Sequence, residues 1–153
     1  MPLLSQLLGS GRVRILDAPD SRDAVLDAAA RLLGDGSAET ATEIADSLRQ
    51  RERLGSTAIG HGVAIPHGRC GACRDARASF LRLAEPVDFA AADGEPVDLV
   101  LAIAAPEHFS QQHLQLLSEI AERFAEASFR DALRAARDTQ ALQAVLAGTV
   151  AAT

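Results

Sequence analysis

Val97-Asp-Leu-Val-Leu-Ala-Ile-Ala104 is the stretch from which the fold follows. Apart from Asp98 it is continuously apolar, and it is too short to be an ordinary helix or a membrane span. Such a run reads as a strand buried on both faces, and a strand covered on both sides needs a layer of structure on each. Pro106 and Glu107 break it. Downstream, Leu114, Leu117, Ile120, Ala121 and Phe124 form the apolar face of a helix expected from about Ser110 to Ala127. Ser128 is expected to cap a shorter helix carrying Phe129, Ala132 and Leu133. Thr139 is expected to cap a last one carrying Leu142, Val145 and Leu146 before Gly148.

Upstream, Val13 to Leu16 reads as an edge strand. Asp20 or Ser21 opens a helix whose Val25, Leu26, Ala29, Leu32 and Leu33 share one stripe, and Gly34 and Gly36 stop it. Thr40-Ala-Thr-Glu43 has the spacing of a capping box and predicts a second helix through Ile44 and Leu48, ending before Gly55. Val63 and Ile65 alternate as a strand that Pro66 ends, and Ala78 to Leu83 alternates as another. Helix-length and hairpin-length connections both occur. The expectation is therefore one α/β domain over residues 1–153, a mixed β-sheet sandwiched between helices on both faces.

Composition narrows the function. Of 153 residues, 48% are hydrophobic and 24% charged, ordinary values for a globular chain. No apolar run is long enough to cross a bilayer, and Met1 to Leu8 lacks the basic flank of a secretory signal, so a cytoplasmic protein without membrane insertion is expected. The net charge of −6 gives no support to nucleic-acid binding. All 15 basic residues are Arg. With no Lys there is neither a Schiff-base amine nor a P-loop Lys, and any cationic contact to phosphate must come from Arg or His.

Residues 51–74 carry the chemistry. Five glycines between Gly55 and Gly71 accompany Ser56, Thr57, several Arg and the Pro-flanked His67. Glycines let backbone N–H groups approach an anion closely. Ser56 and Thr57 offer hydroxyls, and Arg51 or Arg53 offers a planar donor fork. His67 follows a strand end, fixed by Pro66 and left open by Gly68. A neutral imidazole is a nucleophile near physiological pH. The bland reading of the same residues is a loop with a surface His.

Arg51-Glu-Arg-Leu-Gly-Ser-Thr-Ala-Ile-Gly-His-Gly-Val-Ala-Ile-Pro-His67-Gly-Arg69 resembles the signature of the type-2 IIA domains of the bacterial phosphotransferase system, the mannitol/fructose class. Its Gly-Ser-Thr-x-Ile-Gly-x-Gly-x-Ala-Ile-Pro-His-Gly run is closest to the nitrogen-regulatory subclass. Ala105-Pro-Glu-His-Phe-Ser-Gln-Gln-His113-Leu-Gln-Leu-Leu-Ser resembles the family's second block. The resemblance implies a mixed sheet between helices, phosphorylation of His67, a site position for His113 beside it, and a phosphate-facing role for Arg51. Ser56, Thr57 and Gly68 are the expected phosphate-binding neighbours. The implied donor is an HPr-like phosphocarrier protein, and the partners downstream are regulatory targets or the Cys of a IIB domain. No metal or organic cofactor is implied.

Two features depart from the family. His61 stands where these domains more often carry Asn, Asp or Glu, and it is expected to face solvent; His108 reads as a surface residue. Cys70-Gly-Ala-Cys73 lies outside the resemblance. With His61 and His67 it makes a rival set for zinc, or a redox pair, although a metal on His67 would block attack on phosphorus.

Overall fold

The stretch Val97–Ala105 forms β6, at the centre of a six-stranded sheet. In the computed structural model, residues 2–9, 11–106 and 111–148 are described, with the side chains of residues 2, 3 and 111–113 outside that description. Helix α1 (Pro2–Leu8) leads into strand β1 (Val13–Leu16), then helices α2 (Arg22–Leu33) and α3 (Ala38–Leu54). Strands β2 (Ala58–Gly60), β3 (Val63–Ala64), β4 (His67–Arg69) and β5 (Arg77–Val87) precede β6. Helices α4 (Gln111–Ala125), α5 (Ala127–Ala135) and α6 (Thr139–Ala147) follow it. The strand order is β1-β5-β6-β3-β2, with β4 also paired to β6. Strand β5 runs antiparallel to β6, while β3 and β4 run parallel to it, so the sheet is mixed as expected.

Side chains along β6 alternate between two cores. Val100, Ala102 and Ala104 join Val25, Leu26, Ile44 and Leu48 of α2 and α3. Leu99, Leu101 and Ile103 join Leu4 and Leu7 of α1 and the apolar faces of α4, α5 and α6. Helices thus cover both faces. No described helix is long and apolar enough to cross a membrane.

Several boundaries differ from the sequence expectations. Helix α3 starts earlier than the Thr40 box predicts: Ser37, in extended conformation, is the cap, and Thr40 donates its N–H to the Ser37 hydroxyl. The cap of α6 is Asp138 rather than Thr139, its carboxylate accepting from the Ala141 N–H. Ser128 lies inside α5, whose cap position, Glu126, makes no side-chain cap bond; Arg130 instead donates to the carbonyls of Phe124 and Ala125 at the end of α4. Leu114 is exposed, and Leu116 takes the buried place with Ile120 and Phe124. That i, i+4, i+8 row is the true core stripe, with the half-buried Leu117 and Ala121 beside it. The strand predicted over Ala78–Leu83 extends to Val87, with a register irregularity between Arg82 and Val87.

Candidate functional site

The carboxyl end of α3 and the segment after it fold back against the sheet edge. Gly55 ends the helix with φ 158°, open only to glycine at low cost, and the chain turns into the β2–β3 hairpin. His61 and Gly62 form its two-residue turn, both with positive φ (57° and 78°). A turn of that hand favours Gly, Asn and Asp, and His tolerates it better than most side chains. The His61 N–H donates to Asp93 and its carbonyl accepts from Arg134. Its side chain is exposed, as expected.

Pro66 ends the hairpin strand, and His67 opens β4, paired with Ile103 of β6. The site thus rests on a hydrogen-bonded strand rather than on the free strand end the sequence suggested. Along β4 the pleat sends successive side chains to opposite faces. The place where a Gly68 Cβ would stand lies 2.8 Å from the Ser47 hydroxyl and 3.2 Å from the Leu48 nitrogen of α3. Cys70 buries in the same core as α2 and α3. His67 faces the other way, into a cleft of about 230 Å³.

That cleft is lined by Arg51, Thr57, Ile59, His67, Leu117 and Ala121, together with Ser56, Ala58 and Ile65. His67 is half-buried at its base. Its Nδ1 lies 3.2 Å from the Ile65 carbonyl, and the Arg51 Nε lies 3.2 Å from its Nε2. A carbonyl only accepts and a guanidinium only donates. The pair therefore fixes one tautomer: Nδ1 carries the proton and the Nε2 lone pair accepts from Arg51. Burial holds the imidazole pKa below its ordinary 6.5, the Ile65 carbonyl opposes this, Arg51 lowers it further and Glu52 raises it. The outcome is a neutral ring at physiological pH.

Arg51 also donates to the Gly55 carbonyl, which braces it across the end of its own helix. Glu52, unremarked in the sequence, is buried (4% exposed) and holds the loop. It accepts the Thr57 N–H at 3.0 Å and the Thr57 hydroxyl at 2.5 Å. A Glu adjacent to the site Arg, five residues before Thr57, was the available signal. The Ser56 hydroxyl donates to the Phe89 carbonyl at 2.5 Å and accepts from the Ala58 N–H. Both hydroxyls expected to meet phosphate are thus engaged in shaping the cleft wall. Gly68 is not part of that wall; its smallness admits α3. Arg53 is exposed on the helix end. His113 falls in the first turn of α4, but its side chain lies outside the described residues, as does His108 altogether.

The rival zinc set does not assemble. Cys70 and Cys73 are joined to each other in a disulfide. Among the described residues no group of three His, Cys, Asp or Glu gathers to hold a metal. Cys70, just past β4, buries in the core with α2 and α3, whereas His67 lines the cleft.

Residues 6–148 match the family model for the phosphoenolpyruvate-dependent sugar phosphotransferase system, EIIA 2. The chain belongs to that family. A nitrogen regulatory protein of Pseudomonas aeruginosa is 40% identical over 94% of each chain. Among solved structures, nitrogen regulatory protein IIA-Ntr from Neisseria meningitidis superposes with a TM-score of 0.84 at 35% identity, covering 94% of this chain and 99% of that one. The Escherichia coli complex of enzyme IIAMtl with phosphorylated enzyme IIBMtl matches with a TM-score of 0.73, covering 92% and 97% of the two chains. At 20% identity it shows the shared fold alone. The EIIA 2 assignment agrees with the mixed sheet and with the segment that carries His67.

Proposed function

We propose that this chain is a phosphohistidine carrier of the nitrogen-regulatory phosphotransferase type, taking a phosphoryl group on Nε2 of His67 and changing its protein partners according to that charge. The observation that carries the reading is the imidazole held between the Ile65 carbonyl and the Arg51 guanidinium on the wall of the cleft, with Nε2 unprotonated. The 40% identity to a nitrogen regulatory protein supports the regulatory branch over sugar transport.

The transfer is a displacement at phosphorus. The Nε2 lone pair forms the new N–P bond as the bond from phosphorus to the donor's histidine breaks, and the donor ring leaves with the electron pair. No proton has to leave His67 as the bond forms, because the ring proton stays on Nδ1, hydrogen-bonded to the Ile65 carbonyl. Such a step depends on positioning and charge neutralisation more than on acid–base work. Arg51 swings its donors from Nε2 to the equatorial phosphoryl oxygens as the bond forms. His113 is assigned the second imidazole, donating to the same oxygens. Glu52, Thr57 and Ser56 keep the wall in place.

The donor is an HPr-like phosphocarrier. Leu54 (85% exposed), Ile59 (42%) and Leu114 (68%) supply apolar surface on three elements that border the cleft. They give a partner area to bury against, and phosphorylation adds roughly two negative charges there. The setting is the cytoplasm, where the phosphocarriers operate.

The test is incubation with the phosphoenolpyruvate-charged first enzyme and its phosphocarrier. Acid-labile label on wild type and none on His67→Ala is the expected result; an unlabelled wild type refutes the proposal. A chase with a IIB domain separates the branches. Label that stays on the chain fits a regulator, and label that moves to the IIB Cys fits a transport component.

A further inference from the structure

A second cavity lies at the opposite edge of the sheet, beside β1, separated from β4 by β5 and β6. It measures about 460 Å³ and is lined chiefly by Arg12, Arg14, Arg31 and Asp35, with Leu32 its one large apolar side chain. Gly11 and Gly36 leave its rim open, since a Cβ at either position would meet nothing within 4 Å.

The charge balance within it is the informative part. Asp35 is shared by Arg12, which meets it through two donors (3.0 and 2.9 Å), and by Arg77 at 2.9 Å. Its carboxylate is therefore already committed to two cations. Arg14 uses one nitrogen on the carbonyls of Gly11 and Val13 and forms no ion pair among the described residues. Arg31 is exposed and has no hydrogen-bond or ion-pair partner among them. The Leu33 carbonyl at the end of α2, which would repel an anion, is covered by the Arg77 guanidinium. A chain of net charge −6 thus concentrates uncompensated positive charge in one recess. Like charges brought together in a concave site focus the field and raise the local concentration of anions.

We infer that this recess is an anion site for a compact, multiply charged oxyanion, held by the Arg14 and Arg31 guanidiniums with Arg12 fixed at its base by Asp35. Guanidinium forks match the geometry of phosphate and carboxylate oxygens. The lack of aromatic lining argues for a small polar ligand rather than one with a stacking base. This site is independent of His67, and its occupancy would tie the protein to a small metabolite.

Titration calorimetry with pyrophosphate and, separately, citrate tests it on wild type, Arg31→Glu, Arg14→Gln and Arg51→Ala. The exposed Arg31 side chain has no hydrogen bond or ion pair to lose among the described residues, so its variant is expected to fold; circular dichroism checks this. The expected result is saturable one-site binding that Arg51→Ala preserves and that Arg31→Glu weakens at least about tenfold, with a smaller loss in Arg14→Gln. Stronger binding of pyrophosphate assigns a phosphorylated ligand, and stronger binding of citrate a polycarboxylate. Absence of binding by both probes overturns the inference. So does binding that survives in Arg31→Glu and vanishes in Arg51→Ala, which would put the anion in the His67 cleft. His67 labelling by the phosphocarrier should proceed in Arg31→Glu as in wild type.

Discussion

Arg51 and Arg12 are the same residue type set against different partners, and the contrast shows what leaves the charge of one of them without a carboxylate. Arg12 meets a carboxylate. Asp35 sits between Arg12 and Arg77, and the Arg12 hydrogen bond holds its carboxyl below the ordinary carboxylate range. Arg12 there has a carboxylate partner, shared with Arg77, and the cluster ties the end of α2 to the start of β1 and to β5. Arg51 meets the neutral ring nitrogen of His67 and a carbonyl, and forms no ion pair among the described residues. Its charge is oriented but not neutralised. On the function proposed above, an incoming phosphoryl group would supply the missing negative charge, and Arg51 would bind the transferred group more strongly than the resting ring.

The contrast breaks hardest on paired substitutions. His67→Ala should abolish labelling outright. Arg51→Ala should lower the rate of phosphoryl acceptance by about 10²–10³-fold, the usual cost of losing a preorganised donor aimed at developing charge. The same change should leave thermal unfolding nearly unmoved. Asp35→Ala should do the reverse, leaving the labelling rate alone and costing about 1 kcal/mol of stability, since the pairs are partly exposed and screened. Stopped-flow labelling and urea denaturation on the two variants check both arms. An Arg51→Ala protein that labels at the wild-type rate would make Arg51 a second Arg12.

Glu52 joins the two kinds of role, because it is a buried carboxylate whose partners are neutral. Removing it strands the Thr57 N–H and hydroxyl next to the cleft. Glu52→Ala should cost about 2–3 kcal/mol, more than the exposed Asp35 pairs, because hydrogen bonds to a charged acceptor are the stronger kind. Urea unfolding at pH 7 measures it, and a loss below that of Asp35→Ala would contradict the tether.

Gly68 can be sorted by a smaller effect. Were it a phosphate cradle, Gly68→Ala would slow labelling without touching stability. The 2.8 Å approach to Ser47 instead predicts overpacking, with a stability loss of about 1–3 kcal/mol. Ser47→Gly in the same chain should recover part of it, minus the bond from the Arg69 N–H to the Ser47 hydroxyl. Failure of the double variant to recover any stability would move Gly68 back toward the site.

What the sequence made readable follows the range of the forces involved. The apolar run from Val97 and the helical stripes depend on neighbours close in the chain, and they pointed to the sheet and its two helical layers; the role proposed for His67 came from the resemblance of the motif around it. Caps slipped by one to three residues because Ser37, Asp138 and Thr139 are all competent caps, and tertiary packing chooses among them. Leu114 and Leu116 are both Leu, and only the position of α4 over β6 buries one and exposes the other. The engaged hydroxyl of Ser56 was unreadable because its partner, the Phe89 carbonyl, lies 33 residues away in the chain; Glu52 was near enough to Thr57 to be a signal, though only the fold of the loop turns one onto the other. The zinc alternative failed on the burial of Cys70 in the core away from the His67 cleft, which counting cysteines and histidines does not supply.

The subtlest difference between the clusters is in pH. Burial and then Arg51 depress the His67 pKa against the Ile65 carbonyl and Glu52, so the ring is neutral above the ordinary value of 6.5 and for some way below it. Labelling should be flat through neutral pH and fall only below the depressed pKa, as the protonated ring loses its nucleophilic lone pair. The stability consequence has the same direction. Below about 6.5 the unfolded chain takes up a proton that the folded protein resists, so stability falls with falling pH across the interval between the two pKa values and is level above it. His67→Asn should flatten that part of the urea-midpoint profile relative to wild type. Arg51→Ala removes a repelling charge and should raise the imidazole pKa toward 6.5, a change readable in the ring-proton NMR titration. An imidazole that titrates lower after Arg51→Ala would mean that Arg51 does not act on the ring through its charge, and the distinction between a neutralised and a waiting guanidinium would lose its basis.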